Sequence, residues 1–390
     1  MAAEVAASAG HDVSIFDQRR SPGRKFVLAG RGGLNITHSE PLDTFLGQYG
    51  PERQFLEPAI RAFGPVQVRE WMDELGEASF VGSSGRVFPE SFRSVPLLRS
   101  WLSRLQDQAV MFLPRHSWLG WDTSGERPAM LFRSDSVDAT GIDHRHEYDA
   151  AILALGGASW PKVSSDGSWV EILRSAGVDV ADLQPANCGV SLPWSAPLAD
   201  QFAGEPVKNA AVIVDETVVR GDPIVTKSGF EGGPIYAHSR RLREEIEANG
   251  TATLTIDLMP DLDVGDMVRR LVERRRKKRS TSTWLDRCGV SPVGISLLRE
   301  ATNNQLPTDP DALGELIKSV SFSVEAMADI DRAISTAGGV KWSQVDENLQ
   351  LRSVPGTYVV GEMLDWEAPT GGYLLQAVLS TGRHAARAIG

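Results

Sequence analysis

The residues with the most chemistry stand near the end of the chain. A short apolar run, Thr357-Tyr358-Val359-Val360, leads into Gly361-Glu362 and a loop holding Asp365. Thr370-Gly371-Gly372-Tyr373 then opens a segment with apolar residues at Leu374, Leu375, Val378, Leu379, Ala385 and Ala388, a helical spacing that also carries Gln376. A glycine pair at a helix start lets backbone N–H groups come close to a ligand at the positive end of the helix dipole. Such an end suits a group that is negative or becomes so.

The other end holds a second constellation. Residues 1–10 read as a helix and Asp12–Phe16 as a strand, which stops at Asp17. In a nucleotide-binding βαβ unit, an acid at the end of the second strand takes the ribose hydroxyls, so Asp17 is the candidate. The first strand and Gly-x-Gly-x-x-Gly turn of such a unit are missing, and a segment carrying them is expected upstream of Met1. The competing reading is a helix-first α/β protein that takes no nucleotide. Beyond Asp17, Arg24, Lys25 and Arg31 offer charge to a pyrophosphate. Gly30, Gly32 and Gly33 allow close backbone approach, and Asn35 can both donate and accept hydrogen bonds. Gly156-Gly157 closes a buried strand and suits either a ligand passing over it or an ordinary turn.

The elements that must position these residues follow from periodicity. Residues 18–40 read as a basic, glycine-rich loop and 52–75 as helical. A hairpin is expected across Gly82–Gly85, a helix over 95–107 and a strand over 110–113. Two or three antiparallel strands fall in 116–133, and a buried strand in 148–155. After Pro185 short strands and turns predominate to 257, then helices to about 330. The expected organisation is a nucleotide-binding domain at 1–185 and 334–390, interrupted by a β-domain at 186–257 and a helical subdomain at 258–333.

The combination of Pro22-Gly23-Arg24-Lys25, Gly32-Gly33-Leu34-Asn35, Gly85-Arg86-Val87-Phe88-Pro89, Gly156-Gly157-Ala158-Ser159-Trp160-Pro161, residues 336–340 and residues 361–376 resembles one bacterial family along nearly the whole chain. This is the NAD(P)/FAD-dependent oxidoreductase family, also described as aminoacetone-oxidase-family FAD-binding enzymes, with bile-acid-type enone reductases among its relatives. The resemblance implies an α/β fold: a Rossmann-type FAD-binding domain of the glutathione-reductase kind, with inserted β and helical parts. It implies FAD as cofactor, with NAD(P)H as a possible co-substrate, and a small organic substrate. It also implies cofactor-binding roles for Asp17, Arg24, Lys25, Gly32, Gly33, Asn35, Gly156, Gly157, Gly361, Glu362, Asp365, Thr370, Gly371, Gly372, Tyr373 and Gln376. Leu34 stands where most members carry Cys, which removes thiol chemistry at that position, and Leu374 replaces a usual Asn. Lys227 stands where His is frequent, either as a cation near substrate or as a solvated lysine. Trp366 is either a substrate-side wall or loop packing. No catalytic acid or base is named by the pattern.

Composition narrows the remaining choices. A net charge of −11, with 42% hydrophobic and 23% charged residues, fits a globular protein and argues against a general nucleic-acid or anionic-membrane binder. Cys188 and Cys288 lack metal or redox spacing and read as free thiols of a cytoplasmic protein. The seven histidines show no metal-ligand spacing. The basic run from Arg274 to Arg279 suits RNA phosphate or a solvated helix end. The alternatives to a flavin enzyme are thus an RNA-associated flavoprotein and a remnant that no longer binds cofactor.

Overall fold

The computed structural model describes residues 1–30, 32–122, 124–134, 144–163, 165–276 and 279–389. Two compact units result. One joins Met1–Gln184 to Ser335–Gly390, and the other is Pro185–Ile334.

The discontinuous unit is a mixed α/β assembly. Ser14–Asp17 pairs in parallel with Met111–Pro114, setting Asp17 opposite Pro114. Ala151–Leu153 pairs in parallel with Thr357–Val359, so a strand from each half of the sequence builds one ladder. The three antiparallel strands His116–Asp122, Ala129–Ser134 and His144–Glu147 form a meander. The final helix, Tyr373–Arg387, buries Ala377, Leu379, Ala385 and Ala386. The Cβ position of its Gly382 lies 3.6 Å from the backbone nitrogen of Ala2. His11 Nε2 lies 3.1 Å from the Ile389 carbonyl, a further tie between the two ends of the sequence.

Two local expectations change. The glycine-rich stretch after Asp17 is not all loop: Arg24–Ala29 is a helix entered through left-handed Gly23 (φ 72°), and Thr37–His38 pairs with Arg86–Pro89. The stretch 52–75 is two helices, Arg53–Ala62 and Pro65–Glu74. Pro65 cannot continue a preceding helix but suits a first turn. The Gln67 side chain accepts the Gly64 N–H at 3.0 Å and fixes that start.

The second unit packs two antiparallel sheets and several helices around one core, so the 186–257 and 258–333 segments share their apolar interior. One sheet runs Thr217–Gly221, Ala210–Val214, Ala252–Asp257, Val320–Val324. The helices Val264–Arg274, Thr281–Arg287, Pro292–Ala301 and Pro310–Lys318 are N-capped by the side chains of Asp263, Ser280, Ser291 and Asp309. Each cap satisfies an otherwise orphaned backbone N–H.

Two histidines, His146 on the meander and His238, are expected to make stability depend on pH. The rings of His116 and His144 lie 5.7 Å apart, and His146 packs 4.8 Å from Phe16. Burial, then the neighbouring His116 and His144, lower the His146 pKa below 6.5. Burial also lowers that of His238, whose Nε2 donates to Val212 O. The unfolded chain therefore binds more protons just below pH 6.5, and stability falls as the pH drops through that range. The melting temperature is expected to be lower at about pH 5.5 than at about pH 7.5, and His146→Gln should reduce the difference. An unchanged pH dependence in that variant would remove His146 from the explanation.

Candidate cofactor site

At the end of strand Ser14–Asp17 the chain must turn away from the sheet. The Asp17 carboxylate accepts the Arg19 N–H at 2.7 Å and fixes that turn. Burial raises the Asp17 pKa, opposed by the Arg19 N–H and guanidinium. Arg19 Nη2 donates to Pro161 O at 3.1 Å, tying this end to the turn after Gly156-Gly157. Its Nε is buried and has no hydrogen-bond partner among the described residues. Sequence reasoning did not single out Arg19. Its only signal was position, two residues past a strand-ending acid.

The next cluster centres on Lys25. Its Nζ donates to Ser159 Oγ at 2.9 Å, Ser165 Oγ at 3.1 Å and Glu362 Oε2 at 2.8 Å. An ammonium has three protons, and all are engaged by protein acceptors. Glu362 is 7% exposed. Its Oε1 accepts the Thr336 N–H at 2.9 Å, and its Oε2 also accepts the Gly157 N–H at 3.3 Å. Thr336 Oγ1 in turn accepts the N–H groups of Ala158 and Ser159. Gly157 is glycine because a Cβ there would stand 2.2 Å from Thr336 Oγ1. Gly156 (φ 75°) and Gly361 (φ 69°) take left-handed conformations beside this cluster. Lys25, Gly156, Gly157, Gly361 and Glu362 are thus brought together with three hydroxyl residues, Ser159, Ser165 and Thr336, that sequence reasoning missed. Arg24, by contrast, is exposed. Of the basic pair it is the residue free to meet an anion, whereas Lys25 holds the protein to itself. Arg31 lies outside the described residues.

The third cluster surrounds the start of the last helix. Gly372 (φ 96°) lies against strand Thr37–His38, and a Cβ on it would stand 2.5 Å from Thr37 O. A Cβ on Gly371 (φ 136°) would stand 2.7 Å from the Tyr373 ring. Gln376 is fully buried and braces the same strand, accepting from Thr37 Oγ1 at 2.6 Å and donating to Phe63 O at 2.7 Å. Asn35 Nδ2 donates to Thr37 O at 2.9 Å and Val87 O at 3.2 Å. Its Oδ1 is buried with no partner among the described residues. Gly33 lies under the Phe92 ring, with a Cβ position 2.4 Å from it, whereas Gly32 is exposed and open. Leu34 is fully buried beside Ile36 and Phe63, so this is a core position. Asp365 is half-buried, with its N–H on Val340 O and its carbonyl accepting from Trp342 Nε1. Thr370 is half-buried. Trp366 is buried, donates to Gly361 O at 2.8 Å and packs against Tyr49. The Tyr373 hydroxyl donates to Glu40 Oε1 at 2.7 Å, and the His38 ring stacks on Tyr373 at 5.6 Å. Lys227 is an exposed turn residue of the other unit.

These clusters suit a flavin dinucleotide. A strand-ending acid, a glycine turn with Glu362, and a glycine-opened helix occur in one unit. The buried unpaired Asn35 Oδ1 accepts hydrogen bonds and the buried unpaired Arg19 Nε donates them, matching a ligand that presents both a ring N–H and oxygens. No group of three His, Cys, Asp or Glu able to hold a metal occurs among the described residues. No helix among them is long and apolar enough to cross a membrane.

Residues 1–388 match the family described as HI0933-like protein Rossmann domain. The chain is 25% identical over 414 residues to the 3-dehydro-bile acid delta(4,6)-reductase of Clostridium scindens, covering 100% of this chain and 95% of the relative. It is 23% identical over 384 residues to the ribosomal RNA dihydrouridine synthase of Escherichia coli, covering 95% and 90%. Among solved structures it resembles an E. coli quinol fumarate reductase in fold, with TM-score 0.51 and 15% identity over 100% of this chain and 67% of that one. The chain belongs to the HI0933-like Rossmann-domain family, whose members are FAD-dependent oxidoreductases.

Proposed function

We propose that this oxidoreductase uses NAD(P)H to reduce an electron-poor carbon–carbon double bond in a small organic substrate. The observation that carries the cofactor part is the unpaired buried acceptor of Asn35 beside the Gly371–Gly372 helix start. Asp17 would hold the adenosine ribose, with Arg19 beside it. Gly156, Gly157, Glu362 and Arg24 would serve the middle of the dinucleotide, and Gly32, Asn35, Asp365, Thr370 and the Gly371–Tyr373 amides its flavin end. Once bound, the flavin supplies two-electron hydride chemistry, and the protein supplies position and charge. The choice of double bond follows the bile-acid reductase relative, which matches the whole of this chain.

Residues 1–185 with 334–390 would form the flavin domain, and the cytoplasm suits a chain whose Cys188 and Cys288, both buried in the other unit, are thiols. The RNA reading is not favoured. Arg274 donates to Arg287 O and Arg275 lies over Trp284 at 4.9 Å, so these cations serve their own unit. Lys277 and Lys278 lie outside the described residues.

The test is anaerobic mixing of the purified protein with NADPH or NADH, followed by 2-cyclohexen-1-one or a 3-keto-Δ4,6 bile acid. The flavin absorbance is expected to bleach with the nicotinamide and return with the conjugated ketone. Bleaching without return would reject the substrate class, and no flavin absorbance at all would reject the cofactor assignment.

A further inference from the structure

The aromatic and titratable groups beside the last helix form a chain that no part of the cofactor requires. The Tyr373 ring lies over Gly371, whose missing side chain leaves it room, and packs 4.8 Å from Phe45. The Tyr49 hydroxyl donates to Tyr373 O at 2.8 Å and fixes the first turn of the helix. From there the contacts run outward. The Tyr373 hydroxyl donates to Glu40 Oε1 at 2.7 Å, and the same oxygen lies 3.6 Å from His38 Nδ1. The Glu40 N–H points at His38 Nδ1 at 3.3 Å, so Nδ1 is the accepting nitrogen and Nε2 donates to Ser84 O at 2.9 Å. Exposure rises along this line. Tyr373 is 6% exposed, and the His38 and Glu40 side chains are 15% and 16% exposed. Ser84 sits on the exposed turn of the Ser79–Val81 and Arg86–Pro89 hairpin.

A phenol at the buried end of a line of carboxylate and imidazole, with the far end near water, is an arrangement for moving one proton. We propose that Tyr373 is the acid of the reaction, and that Glu40 and His38 return its proton from solvent. This rests on the reductase reading above. A bound reduced flavin would supply the hydride and be oxidised; with that hydride at the β-carbon of the conjugated ketone, a C–H bond would form there and the electrons of the double bond would move toward the carbonyl. The Tyr373 Oη–H bond breaks and an enol O–H bond forms on the substrate oxygen. The enol then rearranges to the saturated ketone. The Tyr373 oxygen is then reprotonated by a solvent proton that His38 takes up at Nδ1, passes to the Glu40 carboxylate and Glu40 passes to the phenolate, so each turnover consumes one hydride and one solvent proton and returns Glu40 and His38 to their starting forms. Burial and the adjacent Glu40 carboxylate keep the phenol protonated far above neutral pH, against a weaker pull from Arg86, which suits a group that must arrive as a donor.

The test uses the flavin-loaded protein, its Tyr373→Phe and Glu40→Gln variants, and 2-cyclohexen-1-one as probe. In the oxidised protein, where no turnover occurs, the carbonyl-stretching band of the bound enone in the difference infrared spectrum is expected to shift to lower frequency in wild type and Glu40→Gln, and not in Tyr373→Phe. After reduction, reoxidation by the enone is expected to slow about 100-fold or more in Tyr373→Phe. Reoxidation by ferricyanide, which takes electrons and needs no acid, is expected to stay at the wild-type rate. Glu40→Gln keeps a hydrogen bond to the phenol but cannot carry a proton, so it should bind with the shift and yet turn over slowly. A merely structural role would not separate these readouts. Wild-type enone reoxidation by Tyr373→Phe, or an unchanged band shift in that variant, would overturn the proposal while leaving the reductase reading in place. A wild-type protein that reoxidises with ferricyanide but not with either enone would overturn both.

Discussion

Gly372→Val is expected to yield protein that holds little flavin and unfolds far below the wild-type denaturant midpoint. The position combines two demands. Its φ of 96° is strained for any residue with a side chain, and its Cβ would meet Thr37 backbone oxygen and carbon at 2.5 and 2.6 Å. Those are main-chain atoms of a paired strand and cannot rotate away. Strain of this kind and overpacking together cost on the order of 3 kcal/mol or more. The strand that must yield also carries the Gln376 brace and stands beside Asn35, so the flavin end loses its shape. Denaturant unfolding of the flavin-free protein separates this from simple loss of ligand contact. If the apo form of the variant is as stable as wild type while flavin is lost, Gly372 serves the cofactor directly and the packing argument is wrong. Gly32→Ala is the contrast: nothing lies within 4 Å of its Cβ position, so only the backbone strain at φ 82° should register.

Lys25→Met should be nearly as damaging, for an electrostatic reason. It removes the cation from a carboxylate that is 7% exposed and leaves Ser159 and Ser165 without their shared donor. Breaking one partner out of a fully buried ion pair typically costs about 3–5 kcal/mol, because the remaining charge stays desolvated; with the Lys25 side chain 29% exposed, the cost here is expected below that range. Glu362 keeps only the Thr336 and Gly157 N–H groups. The double variant Lys25→Met/Glu362→Gln is expected to recover much of the loss, since a neutral amide no longer needs the cation. Chemical unfolding of both variants reads the effect, and a single variant as stable as wild type would show that the pair is solvated.

The sequence carried the parts of this site whose logic is local. A strand stopping at Asp17, a strand ending in Gly361-Glu362 and a glycine pair opening an apolar-spaced helix each follow from a few neighbouring residues. The meander was legible for the same reason, through alternation and a turn. Residues whose meaning depends on distant partners were not legible. Glu40 and His38 matter because Tyr373 lies beside them, more than three hundred positions along the chain. Ser159, Ser165 and Thr336 are unremarkable hydroxyls until Lys25 and Glu362 converge on them. The glycines show the same limit from the other side. Pattern alone assigned Gly371 and Gly372 to close ligand approach, whereas the atoms filling their Cβ positions belong to Tyr373 and Thr37. The short helix Arg24–Ala29 was hidden because glycines flank it and six residues give little periodicity.

The two-piece construction of the flavin unit also orders events at the ribosome. Its strand Ala151–Leu153 waits for Thr357–Val359, and Lys25 waits for Glu362. The Pro185–Ile334 unit, with its own core, is synthesised in full before those partners are made. Residues 335–390 add 56 positions after it, roughly 3–11 s of synthesis at ordinary elongation rates. During that interval the first half of the flavin unit is a nascent chain with an unfinished sheet and an incomplete cofactor cradle. Chaperone access and local codon speed over that interval are therefore expected to affect the yield of folded protein. A pause placed anywhere between residues 154 and 356 would lengthen the exposure, whereas one placed before residue 25 would not.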